Sequence, residues 1–313
     1  MELLTQRTVE REEIKTRVNQ GELAERIGRA IVEDGVKEVL PGLFFQHSSK
    51  LTEPNHGLSD PALCVIAQGS KEVLLGDNLY RYDPAHYLIA TVELPITSKI
   101  IEATRERPYL SMRLQLDPNL VSSVIVEAGY PAHRNASKVK AIDVSPLDSD
   151  LLDAAVRMAK LVESPAQARI LQPLITREII YRLLLGEQGE RLRHLAVLGS
   201  QYQRILQAIE RIRKDFDKPL RIEVMAQDIG MSVSGFHHNF KAVTAMSPVQ
   251  FQKQLRLQEA RRLLLTERLD AASAGYRVGY EDASHFNREY KSLFGNPPMR
   301  DAEQLREAVN QIS

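Results

Sequence analysis

Two short stretches of the chain carry polar and basic side chains at helical spacing. The first holds Ser232, Ser234, His237, His238 and Lys241, and the second holds Ser284, His285, Asn287, Arg288 and Lys291. Short donors mixed with cations can form hydrogen bonds with base edges and phosphates when a helix lies in the major groove of DNA. We therefore predict that these residues contact DNA, and that Arg288 is able to bind a guanine through two hydrogen bonds.

Both stretches lie inside one pattern that occurs twice. Phe236 recurs as Phe286, Phe240 as Tyr290, Lys241 as Lys291 and Pro248 as Pro298, each 50 residues further along. A fixed period of this size indicates an internal repeat. In each copy a glycine, Gly230 or Gly279, can turn the chain between two helices. Ser232 is the expected cap of the first recognition helix, and Asp282 or Ser284 that of the second. The pattern predicts two helix-turn-helix units, with recognition helices over about 233–243 and 283–292.

The region from about Gln201 to Arg306 resembles the DNA-binding domain of the AraC/XylS family of bacterial transcription regulators. The matching residues are Ala226, Gly230, Met231, Ser232, Phe236, Phe240, Lys241, Ser247 and Pro248 in the first copy, and Val278, Gly279, Tyr280, Ser284, His285, Phe286, Tyr290, Lys291, Phe294, Gly295, Pro297 and Pro298 in the second. The resemblance implies a long joining helix, here about Val249 to Thr266, with Phe251, Leu255, Ala260, Leu263 and Leu264 facing inward. Such a helix would hold the recognition helices about 34 Å apart, which is one turn of DNA.

Three features depart from the pattern of that family. His238 stands where the family usually has arginine. Gly235 lies in the first recognition helix, where glycine destabilises by about 1 kcal/mol relative to alanine. Ala271, Ala274 and Gly275 stand where the family usually has larger aliphatic residues or alanine. We therefore expect the leading helix of the second unit to pack loosely, which puts the strength of its DNA contact in question.

From residue 41 to residue 120 the hydrophobic pattern changes to that of short strands. The runs rich in β-branched, aromatic and aliphatic residues are 43–45, 62–67, 71–75, 79–82, 87–91, 97–103 and 109–116, and turn signals separate them. Gly76-Asp77-Asn78 between two of these runs predicts a hairpin. Closely spaced short strands favour a small β-barrel or jelly roll. The stretch from Tyr82 to Leu88, with Leu94-Pro95, resembles the cupin-like N-terminal domain of one AraC-type subgroup.

Helical patterns flank this β-rich region. We expect a disordered or additional tail over Met1 to Lys15, then an amphipathic helix from about Leu23 to Ile31. Wide apolar stripes at 151–162 and 170–184 predict two further helices, which could pack on the barrel or on a second copy of the chain. The predicted fold class is an α+β multidomain chain. Residues 1–40 form an N-terminal tail and helix, 41–120 a cupin-like β-barrel or jelly roll, 121–192 a helical extension that is a candidate for dimerisation, and 193–313 an all-α DNA-binding domain with two helix-turn-helix units.

The histidines do not form a metal-binding pattern. His47, His56, His86 and His133 are scattered without a His-x-His pair, and we interpret each as a surface or hydrogen-bonded residue. The adjacent His237 and His238 point to different helix faces, which disfavours shared ligation of a metal. We predict no metal, no cofactor, no catalytic residue and no enzyme activity. The alternative is a cupin-type metal-dependent enzyme with a DNA-binding appendage, which would need clustered histidine and carboxylate ligands.

Cys64 of the β-rich region could sense redox changes, and Lys71 and Arg81 could contact a ligand, but each has a simpler interpretation. Cys64 lies in the apolar run from Ala62 to Ile66 and is expected to behave as a small hydrophobic residue. Its neighbours in sequence supply none of the positive charge that a reactive thiolate needs. Lys71 and Arg81 are expected to face solvent, and contact with an anionic ligand inside the barrel is the alternative. The sequence alone identifies no effector-binding residue.

The overall composition and the N-terminal residues bear on the cellular compartment. Basic and acidic residues number 41 each, so the net charge neither favours nor opposes binding to nucleic acid. The single cysteine excludes an intramolecular disulfide. The N-terminal residues lack the apolar core of a signal peptide, and no stretch approaches the roughly 20 apolar residues that span a bilayer. We expect a soluble, cytoplasmic protein.

Together these patterns predict a sequence-specific DNA-binding transcriptional regulator that responds to a small-molecule effector bound in the N-terminal barrel. We expect double-stranded operator or promoter DNA and the effector as partners. A second copy of the chain and RNA polymerase are further candidate partners, and no membrane is expected. The remaining alternative is a DNA-binding regulator without an effector, whose barrel serves only as a platform for assembly.

Overall fold

The chain folds into two units, Met1–Gln203 and Arg204–Ser313. A computed structural model describes residues 2–129, 140–196 and 201–310. The first unit contains two β-sheets with flanking helices, and the described part of the second is helical. The α+β fold class predicted from the sequence is confirmed. Within the described residues, no helix is both long and apolar enough to cross a bilayer.

Helix α1 (Glu2–Ala30) opens the first unit. The disordered tail predicted for the first fifteen residues is wrong, because the helix already begins at its second residue. Part of this segment is tied to a later helix, since Lys15 Nζ lies 3.3 Å from Asp150 Oδ1. The amphipathic pattern further along is confirmed, because Leu23 and Ile27 are both fully buried. The apolar face of α1 therefore covers one side of the unit, although charged residues predominate in its first half.

Strands of the described residues follow, all in antiparallel pairs. In chain order they are β1 (Gly35–Leu40), β2 (Leu43–Ser48), β3 (Asn55–Ser59), β4 (Ala62–Gln68), β5 (Ser70–Leu75), β6 (Asn78–Tyr82), β7 (His86–Ala90), β8 (Leu94–Glu102), β9 (Tyr109–Gln115) and, after helix α2 (Pro118–Glu127), β10 (Ile142–Pro146). One sheet has the order β1-β2-β9-β4-β7-β10 and the other the order β3-β8-β5-β6. Two antiparallel sheets of short strands form the jelly-roll type of architecture that the sequence favours.

Some strands lie where the sequence predicts turns or helices. β3 lies in the region between the predicted runs 43–45 and 62–67, where turn signals are expected, and pairs with β8. β10 lies within residues 121–192, which were expected to be helical, ends at Pro146, and pairs with β7 at the edge of the larger sheet. Proline is tolerated at an edge because its missing N–H interrupts no second ladder of hydrogen bonds. The region 121–192 therefore contributes a strand to the sheet as well as helices.

The hairpin predicted across Gly76 to Asn78 is confirmed. β5 and β6 pair with Lys71 opposite Tyr82 and Leu75 opposite Asn78. Gly76 has a φ of 56°, a left-handed conformation that glycine adopts without the steric penalty of a Cβ atom. Because opposite residues of a ladder share a face of the sheet, Lys71 and Tyr82 lie side by side.

Helices α3 (Ser149–Lys160), α4 (Pro165–Leu185) and α5 (Gly189–Ala196) complete the first unit. The apolar stripe of α3 is buried as the sequence predicts. The stripe of α4 is divided. Ile179 and Leu183 are buried, whereas Ile170 and Leu174 are 64% and 58% exposed. One apolar face of α4 is therefore left uncovered.

The described part of the second unit consists of α6 (Gln201–Lys214), α7 (Ile222–Asp228), α8 (Val233–Thr244), α9 (Pro248–Thr266), α10 (Ala271–Arg277), α11 (Ala283–Phe294) and α12 (Pro298–Asn310). α7 with α8 and α10 with α11 form the two helix-turn-helix units, and α9 joins them. The inward face predicted for the joining helix is confirmed, because its members Phe251, Leu255, Ala260, Leu263 and Leu264 are all buried. The second unit is thus organised around α9.

Candidate DNA interface and barrel cavity

A glycine turn and a serine cap shape the first helix-turn-helix. Gly230 has a φ of 65°, and Arg204 Nη1 donates to the carbonyls of Ile229 and Gly230 at 3.3 and 3.1 Å. Ser232 Oγ accepts a hydrogen bond from the Gly235 N–H at 3.1 Å. Ser232 therefore caps α8, as the sequence predicts. Gly235 lies in the first turn of α8. The penalty for glycine in a helix interior therefore applies only weakly, because the first turn lacks most of its internal hydrogen bonds.

Aromatic contacts fix the inner face of α8 against α9. The ring centroids of Phe236 and Phe240 are 5.5 Å apart, as are those of Phe240 and Phe251. All three rings are fully buried, and edge-to-face pairs of this kind prefer a defined relative orientation. The rotation of α8 about its own axis is therefore set, and its opposite face is directed outward.

The predicted DNA-contact residues of the first helix-turn-helix lie away from these rings. Ser232, Ser234, His238 and Lys241 are exposed, and His237 is partly exposed. Lys241 makes no ion pair with any described residue. A cation without an internal partner is available to a phosphate, whose counterions it can displace.

Helix α10, the leading helix of the second helix-turn-helix, packs tightly, so the expectation of loose packing is wrong. Ala274 of α10 is fully buried. A Cβ atom at Gly275 would lie 2.9 Å from Cγ of Phe286, which is closer than two non-bonded carbon atoms approach. The missing side chain at Gly275 therefore lets the Phe286 ring of α11 pack directly on the backbone of α10. Larger residues at this crossing would displace the recognition helix.

A second glycine turn and an acidic cap shape this unit. Gly279 has a φ of 89°, and a Cβ atom there would lie 2.0 Å from the carbonyl oxygen of Asp217. Of the two predicted cap candidates, Asp282 is the cap, because its Oδ1 accepts a hydrogen bond from the His285 N–H at 2.6 Å. A carboxylate also interacts favourably with the positive end of the helix dipole. Ser284 does not cap the helix, and its side chain is exposed.

Tyr290 connects α11 to the helices on either side of it. Its hydroxyl donates to Asp301 Oδ2 at 2.8 Å, and Arg261 of α9 donates to both oxygens of the same carboxylate at 2.8 Å each. Burial, and then the hydrogen bond to Asp301, raise the pKa of the Tyr290 hydroxyl, which stays protonated. The buried face of the second recognition helix is thus fixed by polar as well as aromatic contacts. The sequence pattern identifies the Tyr290 position but not its partners.

The predicted DNA-contact residues of the second helix-turn-helix are all exposed. They are Ser284, His285, Asn287, Arg288 and Lys291. His285 is held by its neighbours, because Nε2 lies 3.6 Å from Oε1 of Glu289 and the ring lies 5.6 Å from that of Tyr280. Arg288 and Lys291 make no ion pair with a described residue. Both recognition helices therefore present unpaired cations on the face opposite their buried aromatic rings.

Arg256 connects α9 to the glycine turn of the second helix-turn-helix and to the segment that follows α6. Its Nε donates to the carbonyl of Phe216 at 2.7 Å and its Nη1 to that of Gly279 at 2.9 Å. Its Nη2 donates to the carbonyls of Asp217 and Lys218 at 3.1 and 2.9 Å. Buried carbonyls need hydrogen-bond donors, and one planar guanidinium supplies four bonds here. Sequence reasoning did not identify Arg256, since nothing in its spacing distinguishes it from an exposed helical arginine.

The first turn of α9 is also fixed. Ser247 Oγ accepts from the Gln250 N–H at 3.2 Å, and the Gln250 side chain accepts from the Ser247 N–H at 2.9 Å. This capping box satisfies two N–H groups that lack partners within the helix. With 19 residues, α9 is about 28 Å long at a rise of about 1.5 Å per residue.

The N-terminal unit, Met1–Gln203, contains a cavity of about 270 Å³ between its two sheets. Gln46, Cys64 and Arg113 line it from the larger sheet, where the pairing register places their strand positions on one face. Lys71 and Tyr82 line it from the smaller sheet. Its apolar wall includes Phe44, Val73, Leu88 and Ile96. The cavity therefore combines a hydrocarbon-like surface with a few polar groups, as small-molecule sites usually do.

Lys71 lines this cavity, so the expectation that it faces solvent is wrong. Arg81 is exposed and pairs with Glu72, its Nε donating to Oε1 at 2.9 Å. Lys71 Nζ donates a long hydrogen bond of 3.4 Å to Gln46 Oε1, and no carboxylate of the described residues lies within 4.0 Å of it. Burial, and to a smaller extent the charge of Arg113, lower the pKa of the Lys71 ammonium.

Other polar groups at this end of the cavity are neutral. Burial raises the pKa of the Cys64 thiol and outweighs the nearby charges of Lys71 and Arg113, which the sequence did not reveal. Burial also raises the pKa of the Tyr82 and Tyr109 hydroxyls. Tyr109 is fully buried, and no group meets its hydroxyl in good hydrogen-bond geometry, although Ser111 and Tyr82 lie close enough to affect its pKa. An unsatisfied buried hydroxyl marks a place where a ligand or water would be stabilised.

Arg113 differs from Lys71 in having a carboxylate partner. Its Nη1 lies 3.0 Å from Asp60 Oδ2, and its guanidinium lies 4.2 Å above the centre of the Phe44 ring. Asp60 also accepts a 3.3 Å hydrogen bond from the side chain of Gln115. Arg113 and Asp60 therefore balance each other's charge, and the ammonium of Lys71 is left without a counter-charge.

Those of the scattered histidines that the structure describes are hydrogen-bonded, in agreement with the prediction. His47 Nδ1 lies 3.0 Å from Asp34, His56 Nδ1 lies 2.9 Å from the hydroxyl of Thr97, and His86 Nδ1 lies 2.7 Å from Asp83. His133 lies outside the described residues. Across the part of the chain that the structure describes, no group of three or more histidine, cysteine or acidic side chains could hold a metal ion.

Family models match both units of the chain. The N-terminus of AraC-type transcriptional regulators matches residues 39–191, and a helix-turn-helix domain matches residues 225–304. A β-rich N-terminal domain of this type and paired helix-turn-helix units define a DNA-binding transcription regulator. The protein belongs to the AraC/XylS family of these regulators, as the sequence pattern suggested.

Curated relatives are transcription regulators that align over part of their length. The regulator ArgR of Pseudomonas aeruginosa is 27% identical over 128 residues, which are 41% of this chain and 39% of that protein. The arabinose operon regulatory protein of Escherichia coli is 29% identical over 97 residues, 31% of this chain and 33% of that protein. The activator RhaS of Escherichia coli is 24% identical over 167 residues, 53% of this chain and 59% of that protein. The chain thus aligns with less than two thirds of each of these relatives.

Solved structures of ToxT from Vibrio cholerae share the fold at low sequence identity. An apo variant of ToxT has a TM-score of 0.54 at 9% identity, covering 84% of this chain and 98% of ToxT. ToxT solved with a bound unsaturated fatty acid has a TM-score of 0.52 at 10% identity, covering 84% of this chain and 95% of ToxT. At this identity the likeness is one of fold.

Proposed function

We propose that this regulator binds operator DNA by placing α8 and α11 in successive major grooves on one face of the duplex. The supporting observation is the duplicated arrangement of the two helices. In each, the aromatic stripe is buried and the predicted donors are exposed. Ser234, His237, His238, Ser284 and Arg288 would contact bases, Lys241 and Lys291 phosphates, and Ser232, His285 and Asn287 neighbouring groups of the same interface.

The joining helix supports this mode of binding. Successive major grooves on one face of DNA lie about 34 Å apart, and α9 alone is about 28 Å long. The capping box at Ser247 fixes the first turn of α9, and the four hydrogen bonds of Arg256 hold the middle of the helix to the segments around Phe216 and Gly279. A rigid connection of this length would present both recognition helices to the duplex without an ordering cost at binding.

The cavity of the first unit supports an effector-responsive regulator over one whose barrel is only a platform. A packed domain core has few voids larger than a water molecule, whereas this cavity measures about 270 Å³ and contains polar groups. ToxT, which shares the fold, has been solved with an unsaturated fatty acid. We extend this to the present chain as a small-molecule effector that binds between the sheets. Such an effector regulates only if its affinity differs between the DNA-competent and incompetent states.

A second copy of the chain is the proposed partner for the uncovered face of α4. Ile170, Leu174, Tyr181 and Leu185 recur along one side of this helix and are 44–64% exposed. Apolar rows on a helix of this length usually mark an interaction surface. Light scattering should show a dimer for the full chain, and replacing Ile170 and Leu174 with glutamate should shift it to the monomer. A dimer of unchanged stability in that variant would exclude this face.

Footprinting of the DNA upstream of the gene and its neighbours, at a stated salt concentration, tests the DNA-binding proposal. The expected result is two protected patches one helical turn apart on one face of the duplex. Ser234→Glu places a carboxylate on α8 and should remove one patch, whereas Asn287→Glu on α11 should remove the other. Both positions are exposed, so neither change should unfold the protein. Loss of the same patch in both variants, or of neither, would contradict the two-helix mode.

A further inference from the structure

We infer that the polar end of the barrel cavity, formed by Lys71, Tyr82 and Tyr109, binds the carboxylate of a small amphipathic monoanion, and that Lys71 selects for its charge. The inference rests on the proposed function of this cavity as an effector site, and it specifies the chemical class of the effector. All three residues line the cavity, and they come from both of its sheets.

The balance of charge in the cavity points to one negative charge on the ligand. Its charged lining residues are Lys71, Arg113 and Asp60. Asp60 already pairs with Arg113 at 3.0 Å, and no carboxylate of the described residues lies within 4.0 Å of Lys71. An ammonium that is largely removed from water, with only a long hydrogen bond to Gln46 and no counter-charge, is unfavourable, so an incoming anion would be stabilised. A single anionic group neutralises this excess, whereas a dianion would reverse it.

The neutral groups around Lys71 fit a carboxylate as well. The Tyr109 hydroxyl is buried with no group in good hydrogen-bond geometry, and the hydroxyls of Tyr82 and Ser111 lie nearby. Both hydroxyls are protonated, because burial raises their pKa, and each can donate a hydrogen bond to an anionic oxygen. Cys64 also stays protonated and adds no competing negative charge.

The remaining surface and the volume define the rest of the ligand. Phe44, Val73, Leu88 and Ile96 form an apolar wall that would disfavour a ligand with many hydroxyl groups, because these would lose water without gaining partners. A volume of about 270 Å³ lies at the small end of ligand sites. A short aliphatic chain or a single ring bearing one carboxylate fits both properties.

Isothermal titration of the full-length protein with matched acids and alcohols tests the inference. Hexanoate is compared with hexanol, octanoate with octanol, and benzoate with benzyl alcohol. We expect each acid to bind at least about tenfold more tightly than its alcohol, as a charge-assisted hydrogen bond implies. Lys71→Met should remove this preference and Lys71→Arg should retain it. Lys99→Met is the matched control, because Lys99 is exposed on the adjacent strand of the same sheet.

The dependence on pH gives a second readout that a purely structural role of Lys71 would not produce. The titratable groups nearest Lys71 are Cys64 and Arg113, with Tyr82 opposite it on the neighbouring strand and Tyr109 beside Tyr82. Binding of an anion requires the protonated ammonium. Affinity for the acids should therefore fall as the pH rises above the pKa of Lys71 in the free protein, which burial lowers, and it should not fall in Lys71→Met. Thermal unfolding of each variant confirms that it is folded.

The outcomes separate this inference from the proposed function. Equal affinity for acids and alcohols, an unchanged preference in Lys71→Met, or no binding by any of the acids would overturn the carboxylate assignment. An effector of another class could then still occupy the cavity. The converse result is that the acids bind with the expected dependence on Lys71, while saturating acid leaves the DNA footprint unchanged. In that case the site is correct and the effector function is not.

Discussion

The Tyr290 hydroxyl donates a 2.8 Å hydrogen bond to Asp301, and so connects the second recognition helix to α12. The same carboxylate, whose side chain is 6% exposed, accepts both hydrogen bonds of Arg261 from α9. Three helices thus meet at one buried acid. Removal of a single partner from such a cluster leaves the others buried and uncompensated.

Asp301→Ala should destabilise the second unit by about 3–5 kcal/mol, because Arg261 would remain largely buried without a counter-charge. The expected effect is a lower midpoint for the denaturant unfolding of this unit, measured by circular dichroism. Glu303→Ala is the control, since Glu303 is exposed on the same helix. Equal stability of the two variants would show that the cluster contributes little.

Gly275→Ala should destabilise the second helix-turn-helix by about 1–3 kcal/mol, the usual effect of overpacking. The new Cβ atom would lie 2.9 Å from the Phe286 ring, so α11 must shift. Weaker protection of the DNA patch assigned to α11 should accompany the loss of stability. In contrast, Gly21→Ala should stabilise α1 by about 0.5–1 kcal/mol, because no atom lies within 4 Å of the added methyl. A stable Gly275→Ala protein with full protection would contradict the close packing.

Arg288→Ala should reduce specific DNA binding by about 1–3 kcal/mol and relax the preference at one base pair. Lys291→Ala, one turn later on α11, should weaken binding to all sequences alike and reduce the salt dependence by about one unit of slope. Both cations are exposed and lack an ion pair with a described residue, so stability should not change. Binding of a library of operator variants at several salt concentrations distinguishes the two roles. Unchanged site discrimination in Arg288→Ala would remove Arg288 from the base-contacting residues.

The acid sensitivity of the first unit should depend on Glu178. A hydrogen bond from Arg157 at 2.7 Å lowers the pKa of this carboxyl below its ordinary value of 4.5. Because the folded-state pKa is depressed, the stabilisation is complete above pH 4.5 and is lost as the pH falls through the lower folded value. Glu178→Gln should therefore flatten the loss of stability in acid, as followed by thermal unfolding. Glu33→Gln, at an exposed position without an ion pair to a described residue, should not.

The helix-turn-helix units could be predicted from the sequence because their signals are local. Gly230 and Gly279 turn the chain, Ser232 and Asp282 cap helices, and the aromatic residues recur with helical period. Each of these depends on residues a few positions apart. The structure therefore agrees with the sequence on which faces of α8 and α11 are buried and which are exposed.

The packing of α10 could not be predicted in the same way. Gly275 suggested a loose helix, because a small residue seen alone implies missing contacts. Its effect depends on Phe286, which fills the space from another helix. The partners of Tyr290 and Arg256 are likewise set by tertiary geometry, since Asp301 and the Phe216 carbonyl lie in other elements.

The cavity residues were predictable in part. Lys71, Val73 and Leu75 alternate with Glu72 and Leu74, and the apolar members of the first set indicate an inward face that includes Lys71. The proximity of Lys71 to Cys64 and Arg113 depends on the packing of the two sheets, and its position beside Tyr82 depends on strand pairing. Periodicity along one strand could not show it.

Helix α9 has a further consequence for the DNA to which this protein would bind. A helix with a fixed first turn and a guanidinium locked to four carbonyls cannot lengthen or twist to follow a changed site. Each base pair inserted between the two contacted segments rotates one of them by about 35° around the duplex axis. The spacing of an operator would therefore be under as strict a constraint as its base sequence. An insertion of half a turn would abolish recognition while leaving every contacted base intact.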